Sequence, residues 1–214
     1  MEALEFFFSQ FKPLLYRKRE TILRADDTPQ GVYYIKKGYV RVYSVSAEGQ
    51  ELTLFILQPN DFFPVRWSIT YHPIRYSYET LTPTEVWRSP RELFVSFLKK
   101  HPGILFEILG RTLARLGSIL QGMEYLVYGD AYAKVAAILF ILTDRFGKKT
   151  FPVNGKGIAI PFPLTHRDIA ALIGVTRETV SLEMKKLYRK NVVIHKSHFV
   201  VISDIEKLKR ESLL

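Results

Sequence analysis

Leu164-Thr165-His166-Arg167-Asp168-Ile169-Ala170-Ala171-Leu172-Ile173-Gly174-Val175-Thr176-Arg177-Glu178-Thr179-Val180-Ser181-Leu182-Glu183-Met184-Lys185-Lys186-Leu187 is the stretch that decides the reading of this chain. A threonine hydroxyl accepts from the unpaired N–H groups of a first helical turn, so Thr165 caps a short helix whose apolar face is Ile169, Ala170 and Ile173. Gly174 supplies the backbone freedom of a tight turn, and the small Ala170 sits where two helices must cross closely. Thr176 caps a second helix with Val180, Met184 and Leu187 on its buried face. Its other face carries Arg177, Glu178, Ser181, Lys185 and Arg189, all able to hydrogen-bond.

Two helices around a glycine turn could be packed for stability alone, but that leaves the run Thr-Arg-Glu-Thr-Val-Ser unexplained. A helix presented by its N-terminal turn fits the major groove of double-stranded DNA, where Arg pairs bidentately with guanine and Glu accepts from cytosine. Hydroxyls of Thr165, Thr176 and Thr179, with N–H groups at helix starts, suit phosphates. Beyond Lys190-Asn191, the strands Val192–His195 and Phe199–Ile202 flank Lys196-Ser197-His198 and read as a β wing. The expected DNA-facing set is Thr165, His166, Arg167, Thr176, Arg177, Glu178, Thr179, Ser181, Lys185 and Lys196.

Charge agrees with that partner. Lys and Arg number 31 against 21 Asp and Glu, a formal +10 that attracts polyanions, although solubility alone would also account for a basic chain. No cysteine is present, which excludes thiolate metal sites, iron–sulfur clusters, a Cys nucleophile and disulfides. The start, Met1-Glu2-Ala3-Leu4-Glu5, lacks a basic region before an apolar core, and no apolar run approaches the ~20 residues of a membrane span. A cytoplasmic location without membrane association is expected.

Upstream, Asp130 caps a helix over Ala131–Phe146 that ends at Gly147. A longer helix begins near Pro102. Leu105, Leu109, Thr112, Leu116, Ile119, Met123 and Leu126 recur at alternating spacings of four and three, the seam of a coiled coil. Such a face could pack on the core of its own chain; charges and glycines on the other faces favour a second copy, hence a homodimer. Ser89 is expected to cap a short helix with Pro90 in its first turn and Glu92 at the capping-box position. Before that, Gly31–Gly38, Tyr39–Val45 and Glu51–Leu57 are strand-like runs, with turns at Ala47–Gln50 and Pro59–Asp61, and more strand pieces run from Arg75 to Arg88. These imply an α+β chain: a small antiparallel barrel or jelly roll over 1–100, a dimerisation helix over 101–129 and a winged helix-turn-helix over 130–214.

Leu164–Leu187 resembles the helix-turn-helix of the Crp/Fnr family, and the order roll, long helix, winged helix is similar throughout. Val32-Tyr33-Tyr34-Ile35-Lys36-Lys37-Gly38, Glu48-Gly49 and Asp61-Phe62-Phe63 resemble that family's cyclic-nucleotide-binding roll. The resemblance implies a transcription regulator that binds a partly palindromic site, with Arg177 and Glu178 on bases, the three threonines on phosphates, and RNA polymerase as a protein partner. Leu182 stands where several relatives carry a second base-reading Arg, which leaves the operator sequence open.

In the family's cyclic-nucleotide binders a Gly-Glu pair holds the ribose and an Arg–small-residue pair holds the phosphate. Here Pro64-Val65 stands in place of Gly-Glu, and Ile74 falls at the phosphate Arg with Arg75 one place on. Successive strand residues face opposite sides, so Arg75 substitutes only if a bulge re-aims it. Ile119 and Leu120 fall where hydroxyls meet the adenine. Control by cyclic AMP is therefore not expected; the alternative is a regulator responsive to a cyclic nucleotide or another small ligand, which binds DNA only with that effector bound. Arg66, Arg75 and Tyr76, with Trp67, His72 and Tyr78, could receive an anionic or planar ligand, or the rings could simply pack the roll. Of the five histidines only His195 and His198 are close in sequence, so no metal site and no cofactor are expected. No phosphate-binding Gly-rich loop, Gly-x-Ser-x-Gly or His-Glu-x-x-His occurs, which argues against an enzyme. A scaffold that no longer needs DNA would have no use for the polar face of the second helix.

Overall fold

A computed structural model describes residues 2–149, 157–196 and 199–212, and within them the side chains other than those of Gln121, Tyr125 and Leu126. The chain divides into two compact units, Met1–Gly117 and Ser118–Leu214, with the division inside a helix.

The first unit starts with α1 (Glu2–Ser9), β1 (Pro13–Tyr16), β2 (Thr21–Leu23), β3 (Val32–Lys37), β4 (Val40–Val45), β5 (Glu51–Leu57) and β6 (Phe62–Phe63). It continues with α2 (Val65–Thr70), β7 (Ser77–Thr80), β8 (Thr84–Ser89), α3 (Arg91–Lys100) and the first part of α4 (Pro102–Tyr128). Its strands form two four-stranded sheets, β1-β8-β3-β6 and β2-β7-β4-β5, with every pairing antiparallel. This is the expected roll. β3 is buried continuously from Val32 to Ile35, as suits a strand covered on both faces. β4 buries Val40 and Val42, and also Arg41, whose guanidinium is satisfied by Glu79 at 2.9 Å and Glu51 at 2.8 Å. Gly38 closes β3 into β4 at φ 95, where a Cβ would lie 2.7 Å from the Pro83 carbonyl oxygen.

The core of the roll is aromatic. Phe8 stacks on Tyr34 at 5.1 Å between ring centres and Tyr34 on Trp87 at 5.8 Å; Phe63 lies between Tyr33 at 5.3 Å and Tyr78 at 4.8 Å. Such pairs add about 0.5–1.5 kcal/mol each beyond the area they bury. Burial pushes both the Tyr34 phenol, to about 12, and the Tyr78 phenol up. Phe94 of α3 and Ile108 of α4 close the same core.

Two local features differ from expectation. Ser89 does not cap α3: it is the buried last residue of β8, its hydroxyl donates to the Pro90 carbonyl at 2.9 Å, and Pro90 occupies the cap position without a side-chain bond. The segment after Pro64, with no element assigned from sequence, is the helix α2. Arg91 donates to the Ile69 carbonyl at 3.3 Å and also to the Trp67 carbonyl at 3.2 Å, which already accepts from the Tyr71 N–H at 3.1 Å.

The second unit holds the rest of α4, then α5 (Ala131–Phe146), β9 (Ile158–Ala159), α6 (His166–Ile173), α7 (Arg177–Arg189), β10 (Val193–Lys196), β11 (Phe199–Ile202) and α8 (Ile205–Glu211). Asp130 caps α5 by accepting from Ala133 N–H at 2.8 Å, as expected. Gly147 ends it, donating to the Thr143 carbonyl at 2.8 Å. The wing gains a third strand, the order being β10-β11-β9 with antiparallel pairing throughout. Val135, Leu139, Ile160, Phe162, Ile169, Val180, Met184, Leu187 and Leu208 form the buried interior beneath α6 and α7.

Candidate nucleic-acid interface

The expected DNA-reading helix is α7, and the local chemistry that sets it is visible atom by atom. Thr165 caps α6: its hydroxyl accepts from Asp168 N–H at 3.2 Å, while Asp168 Oδ2 accepts from Thr165 N–H at 2.9 Å. This is a capping box with Asp in the third position, a reciprocal pairing that fixes the entry of the helix. Gly174 ends α6 at φ 67, ψ 36, a left-handed conformation that L side chains rarely adopt, and its N–H donates to the Ala170 carbonyl at 2.9 Å. Thr176 caps α7 two residues later and accepts from Thr179 N–H at 3.2 Å. Ala170 and Ala171 of α6 are buried, and side chains this small let two helices pack closely.

With Val180, Met184 and Leu187 buried, the opposite face of α7 is presented outward. Thr176, Arg177, Glu178 and Lys185 are exposed, and Thr179 and Ser181 are half-buried beside them. On α6, Thr165 and Arg167 are exposed and His166 is half-buried. Lys196 is exposed at the end of β10, next to Ser197 and His198, which lie outside the described residues. Burial first, then the neighbouring Arg177, His195 and Lys185, push the His166 imidazole below its ordinary pKa. Arg167 on α6, Arg177 and Lys185 on α7 and Lys196 on β10 are exposed cations, the kind of charge that a phosphate backbone attracts.

Capping engages the hydroxyls that the sequence assigns to phosphates. The Thr165 hydroxyl hydrogen points to Asp168 Oδ2 at 2.7 Å and is used within the cap. Thr176 and Thr179 share a single hydroxyl–hydroxyl bond of 2.8 Å, so one hydroxyl hydrogen of that pair remains to donate.

Behind the reading face, α7 is braced by residues that sequence inspection did not single out. Glu211 of α8 accepts from Lys190 at 2.6 Å and from the Tyr132 hydroxyl of α5 at 2.7 Å, and Lys190 lies over the Tyr132 ring at 4.8 Å. Lys190 and Tyr132 hold the Glu211 carboxyl below the usual carboxylate range. Lys207 adds a bond to the Lys190 carbonyl at 2.9 Å. These partners are up to 79 residues apart, so no local pattern announces them.

In the roll, the ligand-candidate cluster separates. Trp67 and Tyr78 are buried in the core, whereas Arg66, Arg75 and Tyr76 are exposed. Ile74, in the register of the phosphate arginine, is buried at 5% exposure. Among the described residues no His, Asp and Glu cluster could hold a metal, and no helix is long and apolar enough to cross a membrane. On α4, Leu105, Leu109, Thr112, Leu116, Ile119 and Met123 all face outward, Leu116 and Met123 being 51% and 55% exposed; the Leu126 side chain lies outside those described.

Two family models match the chain. The cyclic nucleotide-binding domain matches residues 13–101 and the Crp-like helix-turn-helix domain residues 133–211. A global nitrogen regulator of Nostoc sp. is 29% identical over 201 residues, covering 89% of this chain and 86% of its own length. A CRP-like cAMP-activated global transcriptional regulator of Mycobacterium tuberculosis is 25% identical over 210 residues, covering 98% and 92%. Among solved structures, the c-di-GMP responsive global regulator CLP of Xanthomonas campestris superposes with a TM-score of 0.77 at 20% identity, covering 95% of this chain and 99% of its own. With roll and helix-turn-helix both matched in the family's order, the chain belongs to the Crp/Fnr family of DNA-binding transcription regulators.

Proposed function

We propose that the protein binds a partly palindromic DNA site as a homodimer joined along α4, without control by cyclic AMP. The outward apolar face of α4 carries this reading. Leu105, Leu109, Leu116, Ile119 and Met123 form one continuous stripe on a helix that a monomer would leave in water. A two-fold pair of such helices sets two copies of α7 in successive major grooves ~34 Å apart, and the paired half-sites follow from the symmetry. Arg177 and Glu178 read base edges at the start of α7; Thr165, His166, Arg167, Thr176, Thr179, Ser181, Lys185 and Lys196 meet phosphates and neighbouring edges. RNA polymerase is the protein partner of a regulator bound in this way.

The absence of cyclic AMP control rests on the roll. Pro64-Val65 supplies neither the ribose acceptor nor the second N–H of a Gly-Glu pair, and Ile74 is buried while Arg75 faces solvent. Phe63 and Tyr78 fill the adjoining interior ring on ring. Selection of bound sites from random duplexes by the purified protein, with and without cyclic AMP, tests the reading. The same inverted repeat should emerge in both arms. Enrichment of a single half-site refutes the dimer, and enrichment only with the nucleotide refutes the unliganded activity. Enrichment only after another effector is added, with exposed Arg66, Arg75 and Tyr76 as its first candidates, establishes the effector-dependent alternative.

A further inference from the structure

Asp61, in the turn between β5 and β6, has a side chain only 4% exposed. A buried carboxylate needs partners, and two guanidiniums of α4 supply them on one oxygen. Arg111 Nη2 is 2.6 Å and Arg115 Nη2 2.9 Å from Oδ1, while Oδ2 accepts from the Gln58 N–H at 3.0 Å. Arg111 Nη1 also donates to the Asn60 carbonyl at 3.1 Å, and the Asn60 side chain accepts from the hydroxyl of the core residue Tyr34 at 2.8 Å. Arg115 lies over the Phe55 ring of β5 at 5.6 Å, with its Nε buried and unpaired.

Stability alone does not account for this arrangement. An unpaired buried donor is costly, and an apolar side chain at 115 could cover Phe55 without it. The position along α4 supplies a reason. Ile104 and Ile108 pack on the core of the roll, and with Arg111 and Arg115 they repeat at spacings of four, three and four, which is one side of a helix. Each of the four immediately precedes a seam residue: Leu105, Leu109, Thr112 and Leu116. The side of α4 held by the roll thus dictates which side faces a partner. Arg115 stands two residues before Gly117, where the first unit ends.

We infer that Arg111 and Arg115 are positioning residues for DNA binding: their shared hold on Asp61 fixes the rotation of α4, and so the dimer seam, without a small molecule. The inference rests on the dimeric reading proposed above. Its test compares the full-length, unliganded protein on two labelled duplexes, one with the selected inverted repeat and one with a single half-site, by fluorescence anisotropy. Asp61→Asn and Arg115→Gln should each weaken binding to the repeat about tenfold and leave half-site binding unchanged, because a rotated seam misplaces the second α7 and damages neither copy. Adding Arg111→Gln and Arg115→Gln to Asp61→Asn should cause no further loss, since the three groups act as a unit. Wild-type affinity for the repeat in the Asp61→Asn protein overturns the inference. So does an equal loss on both duplexes, which marks mere destabilisation. Where Asp61→Asn fails to fold, Arg115→Gln, which leaves Asp61 paired with Arg111, gives the same two outcomes. A wild-type protein that does not distinguish repeat from half-site refutes the dimeric reading and this inference together.

Discussion

α7 and the first part of α4 each lay one face on the core of a unit, α7 on the second and α4 on the roll, and the two helices differ in what the other face carries. On α7 the outward residues are Arg177, Glu178, Lys185 and Arg189, with Leu182 the single large apolar exception. On α4 they include Leu105, Phe106, Leu109, Leu113, Leu116, Leu120 and Met123. One exposed leucine is ordinary on a protein surface; a row of them is not. Charged groups around hydroxyls suit a partner that offers phosphates and base edges, whereas an apolar row suits a partner that offers the same in return. The period is shared, so the outward composition separates a nucleic-acid face from a protein face. Phe106, Leu113, Leu120 and Val127, spaced by seven, extend the α4 row beyond the seam read from the sequence and widen the apolar face.

The contrast breaks most sharply at the seam. Leu116→Glu places a carboxylate in each half of the proposed dimer contact, at a cost of about 3 kcal/mol or more when it is left unpaired there. Light scattering should show single chains at concentrations where the wild type is paired, and affinity for the inverted repeat should fall with it. A dimer that persists would move the interface off this face. On α7, Arg177→Ala should weaken the specific site by about 1–3 kcal/mol and relax preference at one base pair per half-site, as read by competition among single-base variants. Lys196→Ala should instead weaken all duplexes alike and lower the salt dependence by about one phosphate contact.

Smaller effects probe how α7 is set. Gly174→Ala forces a β-carbon into left-handed backbone, and Thr165→Ala removes half of the capping box; each should cost about 1 kcal/mol in the unfolding of the second unit. Beyond the adjoining chain, nothing lies within 4 Å of a Cβ built at Gly174, so a larger loss there would mean a role beyond conformation. The mildest test is pH. Because Glu211 has its carboxyl lowered in the folded chain, its contribution is present above the ordinary carboxylate range and is lost as pH falls through the lowered folded value. Melting curves of wild type and Glu211→Gln should therefore converge on acidification, and curves that stay parallel would deny the pairing with Lys190 and Tyr132.

What the sequence discloses follows the range of the interactions. Thr165, Gly174, Thr176, Asp130 and Gly147 act within four residues of themselves, and each stands where its residue type predicts. The strands β3 to β5 are equally plain, because their β-branched and aromatic runs and the turn at Gly49, φ 78, are local. α2 escapes because Val65, Ile69 and Thr70 are β-branched and a carbonyl near its end, that of Ile69, accepts from Arg91 of the distant α3. Ser89 misleads because a serine before Pro also suits a strand end. Asp61 with Arg111 and Arg115, and Tyr132 with Glu211, join residues 50 or more positions apart, and nothing in their neighbourhoods marks them as partners.

Sedimentation equilibrium of the unliganded protein, free and mixed with a duplex carrying one selected inverted repeat, tests the central claim most directly. Two chains in the free particle and two chains on one duplex are predicted, because α4 makes the pair and each α7 takes one half-site. A single chain on the duplex, or pairing only when DNA is present, would contradict a preformed dimer joined along α4.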